Sequence, residues 1–222
     1  MKHLKSYVLR SGRMSNLQKR AYEELSAIYC IDFKEEKLDP ASVFAPRQYK
    51  AFILEIGFGM GIATAEIAAE NPDTGFICTE VFKAGVGKLL SEIERLELEN
   101  IVIIQKDAYE VVLYMVPDNL LDGVHIFFPD PWPKKKHHKR RLIQPDFLTL
   151  LSSKMKSGAY LYLVTDWEDY AYSMLESVNA VPGLTNPNNG FAAPSRWRPQ
   201  TRYEKKAVGK GHPVFEVLSL KR

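Results

Sequence analysis

The chain has 222 residues, 45% of them hydrophobic and 26% charged, with a formal net charge of +3. It is long enough to bury one full core and too apolar for a disordered chain, and no apolar run nears the roughly 18 residues of a bilayer span. Two cysteines, Cys30 and Cys78, exclude a disulfide framework or a cysteine-based zinc site, so a reducing, cytoplasmic setting without a membrane is expected.

In chain order, residues 1–14 form a basic, acid-free arm, and residues 1–20 together carry +6. The arm lacks the apolar stretch of a secretory signal. Organelle transit peptides share its composition, but Tyr7-Val-Leu-Arg and Gly12-Arg-Met read as a specific arm. Ser15 is placed to cap a helix through about Tyr29, with Leu17, Ala21, Leu25 and Ile28 on one face. Short apolar strands then alternate with helices. Strands are expected at Ala51–Ile56, Gly75–Glu80, Ile101–Gln105, Gly123–Phe128 and Ala159–Val164. Helices are expected at about Gly61–Glu70, Lys83–Leu96, Tyr109–Val116, Asp146–Lys156 and Trp167–Ser177. A basic loop covers 134–141, Lys-Lys-Lys-His-His-Lys-Arg-Arg, at +6. Residues 179–200 read as a loop, and 201–206 and 212–220 as extended segments that pair in an antiparallel hairpin. This pattern specifies an α/β, doubly wound, mostly parallel Rossmann-like sheet with helices on both faces and an antiparallel C-terminal edge, in a single domain over 1–222. Residues 196–222 add a third +6, so 55 residues hold +18 and the other 167 hold −15. Three basic segments on an acidic body point to nucleic acid.

The first strand ends in Glu55-Ile-Gly57-Phe-Gly59-Met-Gly61, where a doubly wound sheet binds its ligand. Ile62 stands where a dinucleotide fingerprint wants its third glycine, and Glu55 would repel a pyrophosphate. The same carboxylate would attract the sulfonium and amino group of S-adenosylmethionine. Glu80 ends the second strand, suited to ribose hydroxyls, and Asp107 follows the third, suited to an adenine amino group. Three acids at three successive strand ends, beside the glycine loop, resemble the class I S-adenosylmethionine-dependent methyltransferases.

The fourth strand runs into Phe128-Pro-Asp130-Pro-Trp132-Pro and then the basic octet. Three prolines in five residues stiffen the turn that carries Asp130 and Trp132. Residues 128–142 resemble the signature of the tRNA (guanine-N7-)-methyltransferase family. Supporting resemblance lies in Tyr7–Met14, Glu55–Gly61, Thr165-Asp166-Trp167, Thr201-Arg202-Tyr203-Glu204 and Gly211-His212. The resemblance implies transfer of a methyl group to N7 of guanine 46 in the tRNA variable loop, giving 7-methylguanine and S-adenosylhomocysteine. It assigns Glu55, Glu80, Asp107 and Asp130 to the cofactor, with Gly57, Gly59 and Gly61 in the loop. To the tRNA it assigns Lys134, Lys136, His137, His138, Lys139, Arg140, Arg141, Asp166, Thr201, Arg202, Tyr203 and Glu204. The family often places an arginine after Thr-x-Tyr-Glu, whereas Lys205 and Lys206 follow here, which puts a bidentate phosphate contact in doubt.

Guanine N7 is an in-plane acceptor with a lone pair and no proton, so attack on a sulfonium methyl needs no general base. Asp130 or Asp166 can stabilise the charge that develops on the ring, with Asp130 the expected catalytic residue. Trp132, Trp167 and Tyr203 are candidates to stack on the flipped base. No metal site is expected, because His137 and His138 have no ligand partner in the pattern. An amino-methyltransferase acting on adenine and an RNA-binding module with a degenerate pocket remain open, while Ile62 and Glu55 disfavour a nicotinamide dehydrogenase. The partner is tRNA with no obligate protein partner, as a monomer or homodimer.

Overall fold

Ser15 starts the first helix through a reciprocal capping box. Its N–H donates to Gln18 Oε1 at 2.8 Å, its hydroxyl accepts the Gln18 N–H, and α1 runs Asn16–Tyr29. The computed structural model describes residues 4–8, 12–195, 197–201, 204, 205, 208, 209 and 211–222. These fall into two units, Leu9–Pro117 and Met1–Val8 with Asp118–Arg222.

In the Leu9–Pro117 unit, α1 is followed by α2 (Pro40–Val43), β1 (Ala51–Ile56), α3 (Ile62–Glu70), β2 (Thr74–Thr79), α4 (Lys83–Leu96), β3 (Ile101–Ile104) and α5 (Ala108–Glu110). The strands are parallel in the order β3-β2-β1, with Glu55 beside Cys78 and Cys78 beside Ile103. Their Ile, Leu, Val and Phe side chains suit a pleated surface covered by helices. Leu54, Ile77, Ile101, Ile103 and Ile104 are fully buried, each worth roughly 1.5–3 kcal/mol of transfer free energy. Helix α1 packs on α4, and α4 on α3.

The structure departs from two expectations in this unit. The packed face of α1 is centred on Ala21 with Gln18, Tyr22 and Leu25, while Leu17 and Ile28 are exposed. Polar bonds turn the helix: Gln18 Nε2 donates to the Ala84 carbonyl at 3.0 Å and the Tyr22 hydroxyl to Gln105 Oε1 at 2.8 Å. An apolar count alone cannot see a face that includes polar side chains. The helix expected over Tyr109–Val116 is α5 followed by a π-helical turn, Val111–Met115, closed by Val116 N–H on the Val111 carbonyl at 3.1 Å. Lys37 Nζ donates to the Leu113 and Val116 carbonyls there, at 2.8 and 3.0 Å.

The other unit contains β4 (Leu121–Phe127), a 3₁₀ helix (Lys135–Arg140), α6 (Pro145–Lys154), β5 (Met155–Thr165), α7 (Glu168–Asn179), β6 (Leu184–Thr185) and β7 (Phe215–Lys221). Its strand order is β4-β5-β7-β6, with β4 and β5 parallel and β7 antiparallel to both β5 and β6. The antiparallel edge is present, but among the described residues the expected hairpin of 201–206 with 212–220 is not, and residues 202, 203 and 206 lie outside them. Glu204 and Lys205 are helical, with Lys205 N–H on the Thr201 carbonyl at 3.0 Å, and β7 finds its partner in β6, inside the expected loop. Thr201-x-x-Glu204 is a capping pattern, and Glu204 N–H donates to Thr201 Oγ1 at 3.1 Å. The basic loop is likewise a 3₁₀ helix over most of its length. Among the described residues no helix is long and apolar enough to cross a membrane.

Candidate active site

The acids and glycines read from the first strands share the C-terminal ends of β1, β2 and β3. Glu55, the penultimate residue of β1, is 2% exposed. Thr64 on α3 donates to its Oε1 at 2.9 Å, while Oε2 is buried with no hydrogen-bond partner. Burial pushes the carboxyl up to about 7, with the Thr64 bond pulling the other way. Burial, and then Glu55 itself, also raise the Cys78 thiol across the strand pair.

Gly57, Gly59 and Gly61 have φ of 73°, 60° and 68°, a left-handed run that side chains rarely adopt. A Cβ on Gly57 or Gly59 would meet nothing within 4 Å, so the loop faces open space. Glu80, directly after β2, ties this loop down: Oε2 accepts from Gly59 N–H at 2.9 Å, and Oε1 from Val81 and Phe82 N–H at 2.7 and 3.1 Å. Asp107 caps α5, with Oδ1 accepting Tyr109 N–H at 2.8 Å. The buried, unpartnered carboxylate oxygen and the uncovered glycine backbone fit a cationic ligand with a nucleoside attached, and so fit S-adenosylmethionine.

Sequence reasoning missed Thr64 and Gly85. A Cβ on Gly85 would lie 2.0 Å from the Gly59 carbonyl, so only glycine lets α4 seat against the loop. Its signal in the sequence was a glycine inside an otherwise sound helix.

In the other unit, Asp130 is exposed after β4, between two left-handed residues, Phe128 at φ 51° and Trp132 at 47°. Each costs about 1–2 kcal/mol, which surrounding contacts must hold in place. Phe128 N–H donates to the Val164 carbonyl at 2.8 Å, and Arg141 Nε to the Pro131 carbonyl at 2.9 Å.

The octet is sorted by its 3₁₀ winding, in which residues three apart eclipse. His138 and Arg141 turn inward: Arg141 is 4% exposed, pairs with Asp169 and lies 4.7 Å over the Tyr170 ring. His137 and Arg140 turn to Trp132, with the Arg140 guanidinium 4.0 Å from the indole centroid and the His137 ring edge-on at 5.8 Å. Arg140 Nε also donates to the Lys5 carbonyl at 3.1 Å and Trp132 Nε1 to the Ser6 carbonyl at 2.8 Å, so both hold the arm. Lys136 and Lys139 face solvent, as do Lys134 and Lys135. Burial, then the surrounding cations, lower the His137 pKa.

Asp166 is half-buried between β5 and Trp167, the N-cap of α7, and Trp167 is 38% exposed. Thr201 caps the helical turn and Glu204 is buried on Arg198, while Arg202 and Tyr203 lie outside the described residues. Of the stacking candidates, Trp132 has one ring face covered by Arg140, and Trp167 is the accessible indole.

Residues 49–217 match the family model described as "Putative methyltransferase". A protein of Nitrosospira multiformis named tRNA (guanine-N(7)-)-methyltransferase is 47% identical, covering 99% of this chain and 95% of that protein. The chain belongs to the tRNA (guanine-N7-)-methyltransferase family. A second relative of that name, from Paraburkholderia xenovorans, is 48% identical over 100% of this chain and 84% of that protein. Among solved structures, the 16S rRNA methyltransferase KamB aligns with a TM-score of 0.59 at 13% identity over 100% of both chains. TrmN from Thermus thermophilus aligns at 0.55 and 17% identity, over 78% of this chain and 45% of that one. The family therefore has here the Rossmann-like methyltransferase fold that strand-helix alternation predicts, mostly parallel with an antiparallel edge.

Proposed function

We infer that the protein transfers a methyl group from S-adenosylmethionine to N7 of guanine in tRNA, leaving 7-methylguanine and S-adenosylhomocysteine. The observation that carries this reading is identity near 47% over almost the whole chain to proteins of that name. The buried Glu55 carboxylate supports it independently. The finer reading places the target at guanine 46 of the variable loop.

When bound, S-adenosylmethionine would supply a sulfonium methyl group whose carbon is open to a lone pair in line with the carbon–sulfur bond, with S-adenosylhomocysteine as the leaving group. Glu55 offers its unpartnered Oε2 to the cationic end, Glu80 its carboxylate to the ribose hydroxyls, and Asp107 its carboxylate to the adenine amino group. Gly57, Gly59 and Gly61 bring backbone rather than side chains to that ligand. Asp130 takes guanine N1–H and N2–H and stabilises the positive charge that appears on the ring. No side chain removes a proton before attack, because N7 carries none, and positioning supplies up to about 7–11 kcal/mol of the barrier. Lys134, Lys136 and Lys139 meet phosphates, and Asp166 lies on the tRNA side with Thr201. A soluble life in the cytoplasm, as a monomer or homodimer, accords with this substrate.

The reading is tested by incubating the protein with labelled S-adenosylmethionine and unmodified tRNA, then mapping the labelled nucleoside. The expected product is 7-methylguanosine, and N6-methyladenosine would replace this reading with an adenine amino-methyltransferase. In the same assay Asp130→Ala should lose transfer while still binding tRNA; near-normal turnover would remove Asp130 from the chemistry.

A further inference from the structure

A threonine hydroxyl inside a helix commonly donates back to the carbonyl one turn before it, as Thr149 on α6 does to the Pro145 carbonyl at 2.8 Å. Thr64, on α3 and 1% exposed, instead donates across to Glu55 Oε1 on β1 at 2.9 Å. That bond takes one oxygen of a buried carboxyl group and leaves Oε2 without a hydrogen-bond partner. A carboxyl group gripped by one oxygen no longer turns freely about its last side-chain bond, so the place of the other oxygen is set before a ligand arrives. On the two elements that touch Glu55, β2 sets the Cys78 thiol beside it, while Glu66 and Glu70 of α3 are exposed. Glu80, just beyond β2, accepts with both oxygens from the Gly59, Val81 and Phe82 N–H groups. Thr64 is the hydrogen-bond donor that these neighbours give the buried acid.

We propose that Thr64 is a positioning residue for Glu55, its hydroxyl holding the carboxylate by Oε1 so that Oε2 is presented to the cationic end of S-adenosylmethionine. The proposal rests on the reading above that Glu55 faces that ligand. A donor on one oxygen also favours the charged carboxylate, against the burial that favours the proton. Thr64 therefore sets how far toward neutral pH the acid stays ionised and able to take a cation. The hydroxyl carries this role and the methyl group does not. Valine keeps the shape of the side chain without the donor, and serine keeps the donor without the methyl group.

The test compares wild type, Thr64→Val and Thr64→Ser by two measurements on the full chain. Carbon-13 NMR of ligand-free protein labelled in its glutamate carboxyl groups follows the Glu55 titration, whose signal is assigned by its loss in Glu55→Gln. Calorimetry follows S-adenosylmethionine binding from pH 6 to 8.5, and the ligand's own titration cancels in the ratio of variant to wild type. Thr64→Val should raise the Glu55 midpoint from about 7 by roughly one pH unit. Its cofactor binding should then be weaker by about tenfold at pH 6, about fivefold at pH 7 and less than about twofold at pH 8.5. Thr64→Ser should keep the wild-type midpoint and an affinity within about twofold, although it loses a buried methyl group and melts lower. A loss of affinity that is equal at every pH would overturn the proposal, as would a Thr64→Ser protein as impaired as Thr64→Val, since Thr64 would then act by packing alone. Wild type that binds no S-adenosylmethionine would overturn this and the functional reading together, whereas binding wild type with an unmoved midpoint in Thr64→Val overturns this alone.

Discussion

In the proposed cofactor site Glu55 carries the feature with the sharpest consequences, a buried carboxyl with one unpartnered oxygen. A carboxyl held near 7 is half neutral at neutral pH, and its ionised form is the one that attracts a cation. Cofactor affinity should therefore fall as pH drops below about 7 and level off above it, with a proton released on binding. Glu55→Gln should bind weakly and show no such dependence; titration calorimetry from pH 6 to 8.5 reads both, and a pH-independent wild type would contradict the assignment. The same shift fixes the sign of a stability effect. The folded state holds this proton to higher pH than the unfolded chain, so stability is lost as pH rises from about 4.5 to 7, by roughly 3 kcal/mol. Ligand-free Glu55→Gln should accordingly melt above wild type at pH 8 and lose that advantage near pH 5. Thr64 and Gly85, which support the acid and its loop, were illegible in sequence because their roles are contacts from a helix to a strand and to a loop. Glu55 itself was legible because an acid inside an apolar strand needs a reason.

At the scale of elements, the basic octet shows what charge counting finds and what it misses. The sequence presents six cations within eight residues, but only a 3₁₀ winding reveals that they are divided among three faces. Neutralising Lys136 and Lys139 should weaken tRNA binding and flatten its log–log salt slope by about 0.7–0.9 for each phosphate that is no longer neutralised. Arg141→Ala should instead lower the melting temperature, because it leaves Asp169 and the Pro131 carbonyl without their buried partner. Filter binding across a salt series separates the two: an unchanged slope in the lysine variant, or a large change in a stable Arg141→Ala protein, would reverse the sorting. The tail was misjudged for a related reason. Thr201-x-x-Glu204 reads equally as an alternating strand or as a cap, and the buried guanidinium of Arg198 favours the turn.

For the whole molecule, the fold was legible because five continuous apolar runs alternate with helices, and burial rewards that period over most of the chain. Strands β1–β4 and β7 begin and end within three residues of their expected limits, whereas β5 starts four residues early at Met155 and β6 lies in the segment expected to be a loop. The candidate site was legible to the extent that its acids stand at strand ends beside the glycine loop. The net charge of +3 conceals +18 in three basic segments and −15 in the rest of the chain, and the proposed reaction gives each sign a use, phosphate for the first and a cationic cofactor for the strand-end acids. One atom of the substrate, N7, decides whether that chemistry takes place. A tRNA carrying a single 7-deazaguanosine at position 46 keeps its shape, charge and base pairing but has a carbon where N7 would attack. It should compete with unmodified tRNA for binding and take up no label from S-adenosylmethionine, and methylation of that transcript at the level of unmodified tRNA would contradict the assigned reaction.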